Sequence, residues 1–202
     1  CASVLGVTIV LKRFSMLGDG LSHVAFGAAA VALAIGAAPL KIAIPVVIIA
    51  AFLLLRISSS TKIRGDAAIA MVSSGALAIG VIVATLTTGM NTDINNYMFG
   101  SILAISKNDV WTAAIVAACV LAVYILFYNK IFACAFDERF AEAVGVNVRL
   151  YNSILAVLTA VTVVIGMRIM GALLISSIMT FPALSAMRVC KRYRTTVAVS
   201  AA

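Results

Sequence analysis

Asp19 and His23 are the residues whose types and spacing first suggest chemistry. His23 is the only histidine in the chain, and it follows Asp19 by four positions in Gly18-Asp19-Gly20-Leu21-Ser22-His23. Residues four apart share a helix face, so a carboxylate and an imidazole here can meet one cation together. The pair stands where the basic stretch Lys12-Arg13 runs into apolar sequence. Ionisable groups at membrane depth are costly, and their presence raises a functional expectation. The plainer reading is that Asp19 marks a helix start, with His23 merely facing packed helices.

The elements that must hold this pair are set by composition. The 202 residues are 64% hydrophobic and 11% charged, and their mean hydropathy is +1.17. That is more apolar surface than a soluble core can hide, so the chain is expected to be an integral membrane protein. Apolar segments cover 1–11, 21–40, 42–55, 67–88, 110–128, 150–165 and 169–187. A crossing helix needs about 20 apolar residues. Segment 42–55 is short and would rely on Lys41 and Arg56 reaching out to the headgroups. A strand barrel would require alternation of apolar and polar residues, which Ala76-Leu77-Ala78-Ile79-Gly80-Val81-Ile82-Val83 lacks. The expected fold is an all-α, polytopic bundle with about seven membrane segments.

If every segment crosses once, twelve of the fifteen Lys and Arg residues fall on one side, and only Lys41, Lys107 and Arg168 fall on the other. The positive-inside rule makes the richer side cytoplasmic. The net charge of +8 then needs no nucleic acid as partner, because anionic lipid suffices. Cys1, Cys119, Cys134 and Cys190 show no CxxC spacing and read as small apolar filler. The chain starts at Cys1 within an apolar run and stops at Ala202 just after a new one begins. It reads as one membrane domain, 1–202, incomplete at both ends. No GxxxxGK[ST] loop is present, so any ATP must be used by a partner.

Two further stretches stand out. In Phe136-Asp137-Glu138-Arg139-Phe140-Ala141-Glu142-Ala143-Val144-Gly145-Val146, acids interleave with aromatic and small apolar residues. Asp137 can cap a short helix, Glu138 favours its positive end, and Gly145 can stop it in a left-handed conformation. Such a helix suits docking into a groove on another protein; lying on lipid is the alternative, which its acids disfavour. Within 150–187, Gly166-Met167-Arg168 reads as a tight outer turn. Pro182 removes a backbone donor and should kink the following helix. Ser176, Ser177 and Thr180 offer hydroxyls nearby, either to a pathway or to ordinary helix packing. The small residues of 27–36 permit close helix approach.

Four stretches together resemble the zinc/manganese permease family of ABC transporters. They are Lys12 through His23, Asn96-Tyr97-Met98-Phe99-Gly100-Ser101-Ile102-Leu103-Ala104, Gly171-Ala172-Leu173-Leu174-Ile175-Ser176 continuing to Phe181-Pro182-Ala183, and the cytoplasmic stretch Phe136 to Val146. The resemblance implies a permease of the large, many-helix importer type that carries zinc or manganese. It implies two copies around a central pathway, a cytoplasmic ATPase dimer and an extracytoplasmic metal-binding protein. By likeness, Asp19 and His23 line the metal pathway. The loop 130–149 becomes the ATPase-coupling element through Asp137, Glu138, Arg139, Ala141, Glu142 and Gly145, and Ser176, Ser177, Thr180 and Pro182 belong to a pathway or gating helix. No cofactor is expected on the chain itself, nor any catalysis. A permease for a siderophore or cobalamin would leave Asp19 and His23 without a task. An ATPase-independent secondary transporter or channel would need more membrane carboxylates than Asp19 alone.

Overall fold

The computed structural model describes residues 1–12, 14, 16–60, 65–87, 96–100, 106–190 and 192–201. The described elements are α1 (Ala2–Leu11), α2 (Leu17–Ala34), α3 (Pro39–Ser60), α4 (Gly65–Leu86), α5 (Lys107–Leu126), α6 (Tyr128–Phe136), α7 (Glu138–Ala143), α8 (Val148–Met170), α9 (Ala172–Val189) and α10 (Tyr193–Ala201). A helical turn at 96–99 precedes α5, and no strand occurs among the described residues.

Six helices, α2 to α5 together with α8 and α9, are long and apolar enough to cross a membrane. The seventh expected segment is α1, ten residues of it being described. It is enclosed on all sides, with Leu5, Val7 and Thr8 at most 1% exposed. The segment that looked short extends at both ends to Pro39–Ser60. Pro39 suits the first helical position, where the missing donor costs nothing.

Most enclosed of the crossing helices is α2, with 72% of its span buried against 11% for residues 109–126. It packs on α3, α4, α8 and α9. The close approach expected of its small residues is made to α4: a Cβ on Gly27 would lie 2.6 Å from the Ala76 carbonyl oxygen, and one on Gly80 would strike the Phe26 ring. Helix α2 stops at Gly36 (φ 72°). There the Gly36 and Ala37 amides donate to Leu33 and Ala32 carbonyls, both at 2.9 Å, in a Schellman closure.

The outer turn before α9 is not at Gly166-Met167-Arg168, as the sequence suggested, but at Gly171. Helix α8 runs on to Met170 and ends where Gly171 takes φ 86°. Gly166 is a packing residue, its bare face receiving the Ile175 side chain. Arg168 is tied to Asp109 at 2.8 Å. Gly171 meets Gly100 backbone to backbone, and Gly100 also has positive φ (80°). A side chain at either position would collide with the other segment, which explains both glycines.

These contacts also sort the loops by side. Lys12 pairs with Glu138, and both lie on the basic side. Asp109 pairs with Arg168, and Gly100 touches Gly171, all on the lysine-poor side. The charge partition and the packing agree.

Candidate metal pathway and cytoplasmic elbow

Asp19 lies in the first turn of α2, where the helix dipole favours a carboxylate. His23 Nε2 is 3.4 Å from Asp19 Oδ1, with the imidazole 14% exposed and the carboxylate 46% exposed. That separation exceeds the 2.7–2.9 Å typical of a charge-assisted hydrogen bond. It matches the roughly 3.4 Å between two ligands held about 2.1 Å from one tetrahedral ion. His23 Nδ1 is buried and meets no hydrogen-bond partner among the described residues. Ser22 is fully buried, and its hydroxyl donates to the Asp19 carbonyl at 2.8 Å.

Neighbouring helices fix the depth of the pair. Gly18 and Gly6 both close on Met179, near the middle of α9, and Gly20 closes on Ile69 of α4. Ser176 comes within interaction range of the Asp19 carboxylate. The start of α2 therefore sits against the middle of another membrane helix rather than at its end. Among the described residues no third His, Cys, Asp or Glu joins Asp19 and His23.

On α9, Ser176 and Ser177 donate to the Leu173 carbonyl at 3.0 and 2.9 Å, and Thr180 donates to the Ser176 carbonyl at 3.0 Å. Ser177 and Thr180 spend their donors on their own helix, while the Ser176 hydroxyl also lies within reach of the Asp19 carboxylate. The helix continues through Pro182.

The cytoplasmic stretch folds as its residues dictate. Asp137 Oδ1 accepts from the Arg139 and Phe140 amides at 2.9 and 3.1 Å, capping α7. At the other end Gly145 takes φ 81°. Its amide donates to Glu142 and that of Val146 to Ala141, both at 2.9 Å, the same Schellman closure as at Gly36. Ala141 is fully buried, whereas Phe136, Phe140 and Val144 are 77%, 64% and 65% exposed. Arg139, Glu142 and Gly145 are exposed as well.

Glu138 is exposed but pairs with the buried Lys12 side chain, whose Nζ donates to Glu138 Oε1 at 2.8 Å and also to Asn152 Oδ1. Asn152 Nδ2 donates to the same Glu138 oxygen at 3.1 Å. Burial alone would raise the Glu138 pKa; the Lys12 ammonium and the Asn152 amide outweigh it and hold the carboxyl below the ordinary glutamate value. Nothing in the sequence marked Lys12 as a partner of Glu138 or Asn152, because these lie 126 and 140 positions away from it. Equally invisible was the hydroxyl triangle of Thr8, Tyr124 and Tyr193, with edges of 3.0, 2.9 and 2.7 Å, which joins α1, α5 and α10. Arg13, Ser15 and residues 101–104 of the resembling stretches lie outside the described residues.

The profile of the ABC 3 transport family matches residues 1–202. The manganese transport system membrane protein MntC of Halalkalibacterium halodurans is 28% identical over 91% of this chain and 63% of its own length. The high-affinity zinc uptake system membrane protein ZnuB of Haemophilus influenzae is 29% identical over 91% of this chain and 70% of its own. Among solved structures, PsaBC from Streptococcus pneumoniae in complex with Fab superposes with a TM-score of 0.84 at 29% identity, covering 98% of this chain and 72% of that one. With its whole length matched and six membrane-length helices in place, the chain belongs to the ABC 3 transport family and is a multi-pass protein of the bacterial plasma membrane.

Proposed function

We propose that this chain is the membrane-spanning permease subunit of an ATP-driven importer of divalent metal ions, manganese or zinc. The observation that carries the reading is the Asp19–His23 pair, set at ligand spacing on the most enclosed crossing helix. Relatives named for manganese and for zinc transport support it.

Divalent metals of this kind take carboxylate and neutral imidazole together. Two ligands per chain leave the rest of the shell to water or to a second copy of the permease across a central pathway. A metal-ligating histidine usually has its other nitrogen held by an acceptor, a place that among the described residues no side chain takes at His23 Nδ1. A site with few protein ligands suits an ion that must leave as readily as it enters. Ser176, Ser177 and Thr180 offer oxygen lone pairs to a partly hydrated ion along α9, and Pro182 frees a carbonyl on the same helix.

The energy comes from a cytoplasmic ATPase dimer, and the ion from an extracytoplasmic metal-binding protein. The ATPase docks on α7, where Phe136, Phe140 and Val144 offer apolar surface and Arg139 and Glu142 offer charge. Asp137 and Gly145 hold that knob in shape, Ala141 roots it, and residues 130–149 act as the coupling element. Replacing Glu142 or Gly145 is expected to uncouple ATP hydrolysis from uptake while leaving assembly intact.

The test is uptake of radioactive manganese or zinc by cells carrying the complete gene, with and without the co-expressed ATPase. ATPase-dependent accumulation is expected. Equal accumulation without the ATPase would overturn the reading in favour of a secondary transporter, and uptake of a metal chelate but not of the free ions would overturn the substrate.

A further inference from the structure

Of the seven Asp and Glu residues in the chain, Asp19 belongs to the proposed metal pair, Asp137, Glu138 and Glu142 to the elbow, and Asp93 and Asp109 to the lysine-poor side. Asp66 is left without a task. It stands in the first turn of α4, where a carboxylate favours the helix dipole, and it is exposed. Among the described residues it joins none of the ion pairs.

The packing of α2 on α4 sets where Asp66 lies relative to the pair. A Cβ on Gly20 would strike Ile69, and one on Gly27 would strike Ala76. The contact advances by seven residues on both helices, so the two run side by side in the same direction. With that register carried one turn down, Asp66 is level with Leu17, about 3 Å to the cytoplasmic side of Asp19 at 1.5 Å per residue. With about 100° between successive residues, Asp19 and His23 stand roughly 90° and 50° to one side of the Gly20–Gly27 stripe, and Asp66 stands about 60° from the Ile69–Ala76–Gly80 stripe toward that same side. Phe26, on the same flank of α2, reaches Gly80 with its ring. Ala70, one turn above Asp66, is small and exposed, so Asp19, Ala70 and Asp66 all come to the surface along one flank.

We propose that Asp66 is the cytoplasmic exit station of the metal path, the carboxylate that receives manganese or zinc from Asp19 and His23 and passes it to the cytosol. An ion leaving on this side approaches a rim that carries twelve of the fifteen Lys and Arg residues, and these repel it. Asp66 lies on the way to that rim. Opposite charge along a cleft concentrates an ion and raises its rates by about ten- to a thousandfold. Among the described residues no third ligand joins Asp19 and His23, so Asp66 is a separate stop and not part of their site. Weak neighbouring stops are what passage of an ion requires. The inference rests on the importer reading and adds to it the step by which the ion departs.

The test uses the full-length permease assembled with its ATPase in lipid vesicles, with the ATPase outside and radioactive manganese and the metal-binding protein inside. ATP added outside drives manganese out. Asp66→Asn keeps the shape and removes the charge; it is expected to lower the maximal rate of release about tenfold. The rate at limiting manganese should fall less, because capture precedes the exit step. Asp66→Glu should keep most of the native rate. Asp66→Cys, in a background without the four native cysteines, gives a readout that a role in starting α4 would not move. Its anionic sulfonatoethyl adduct should restore release, and its cationic trimethylammonioethyl adduct should depress release below that of the unmodified cysteine.

Native release by Asp66→Asn, or equal release by the two adducts, would overturn the exit station and leave the importer reading in place. If Asp66→Asn does not assemble, the two adducts, formed on one assembled protein, decide. Absence of ATP-driven release by the native complex would instead defeat the importer reading, and the exit station with it.

Discussion

At the scale of the residue, Asp19 and His23, the ligands proposed for a cation, are unequally exposed. The carboxylate is the more exposed of the two, while the imidazole is mostly enclosed and presents one nitrogen to Asp19. Asp19→Asn keeps the shape and removes the charge. It is expected to lower metal uptake by about tenfold or more with the amount of assembled permease unchanged, as read by radioactive uptake against the yield of detergent-solubilised complex. Unimpaired uptake by Asp19→Asn would remove the pair from the pathway. This pair was legible in the sequence because four positions on a helix is a local relation, fixed by backbone geometry. Lys12 read only as a basic loop residue: what buries it is contributed from beyond position 130, and no local rule reaches that far.

At the scale of the element, α7 shows how six residues can hold a helix that their length alone would not stabilise. Asp137 satisfies two amides at one end, and Gly145 closes the other with nothing within 4 Å of where a Cβ would sit. Gly145→Ala therefore meets no clash and pays only for the left-handed backbone, about 1–2 kcal/mol; Asp137→Ala loses a cap, about 1 kcal/mol. Each is expected to speed hydrogen exchange across 138–146 by roughly fivefold or more, the factor that about 1 kcal/mol makes in an equilibrium. Unchanged exchange in both would mean that packing on Ala141, and not its termini, holds the elbow.

Glu138 adds a pH dependence with a definite sign. Its folded pKa is lowered, so the stabilisation it gives is fully present above the ordinary glutamate value, near 4.3, and is lost as pH falls through the lowered folded value. Thermal melting of the detergent-solubilised protein should show a deficit for Glu138→Gln at neutral pH that shrinks in acid below about pH 4.3. A deficit independent of pH would mean that shape rather than charge matters at Glu138. The elbow could be read from the sequence because caps and stops are local. The outer turn before α9 could not, since a glycine that breaks a helix and a glycine that receives Ile175 look alike until the packing partner is known.

At the scale of the whole molecule, two independent orderings coincide. Counting charges divides the loops into a basic side and a lysine-poor side. The folded chain joins Lys12 to Glu138 on the first, and Asp109 to Arg168 and Gly100 to Gly171 on the second. Each of these contacts would be impossible if its two segments lay on opposite faces of a hydrocarbon layer about 30 Å thick. Composition alone could show that helices cross, because the apolar excess leaves them nowhere else to go. It could not show that α1 is enclosed by its neighbours and returns the chain to α2 beside the middle of α9. That return is what lifts Asp19 and His23 off the cytoplasmic rim, and the arrangement predicts a labelling pattern. Single cysteines replacing Lys107 and Glu142, both exposed, in a background without the four native cysteines, should react with a membrane-impermeant maleimide from opposite faces. Lys107→Cys should label in intact cells and Glu142→Cys only after the membrane is opened. Labelling of both in intact cells would break the link between the charge partition and the contacts, and with it the placement of the elbow on the side where ATP is found.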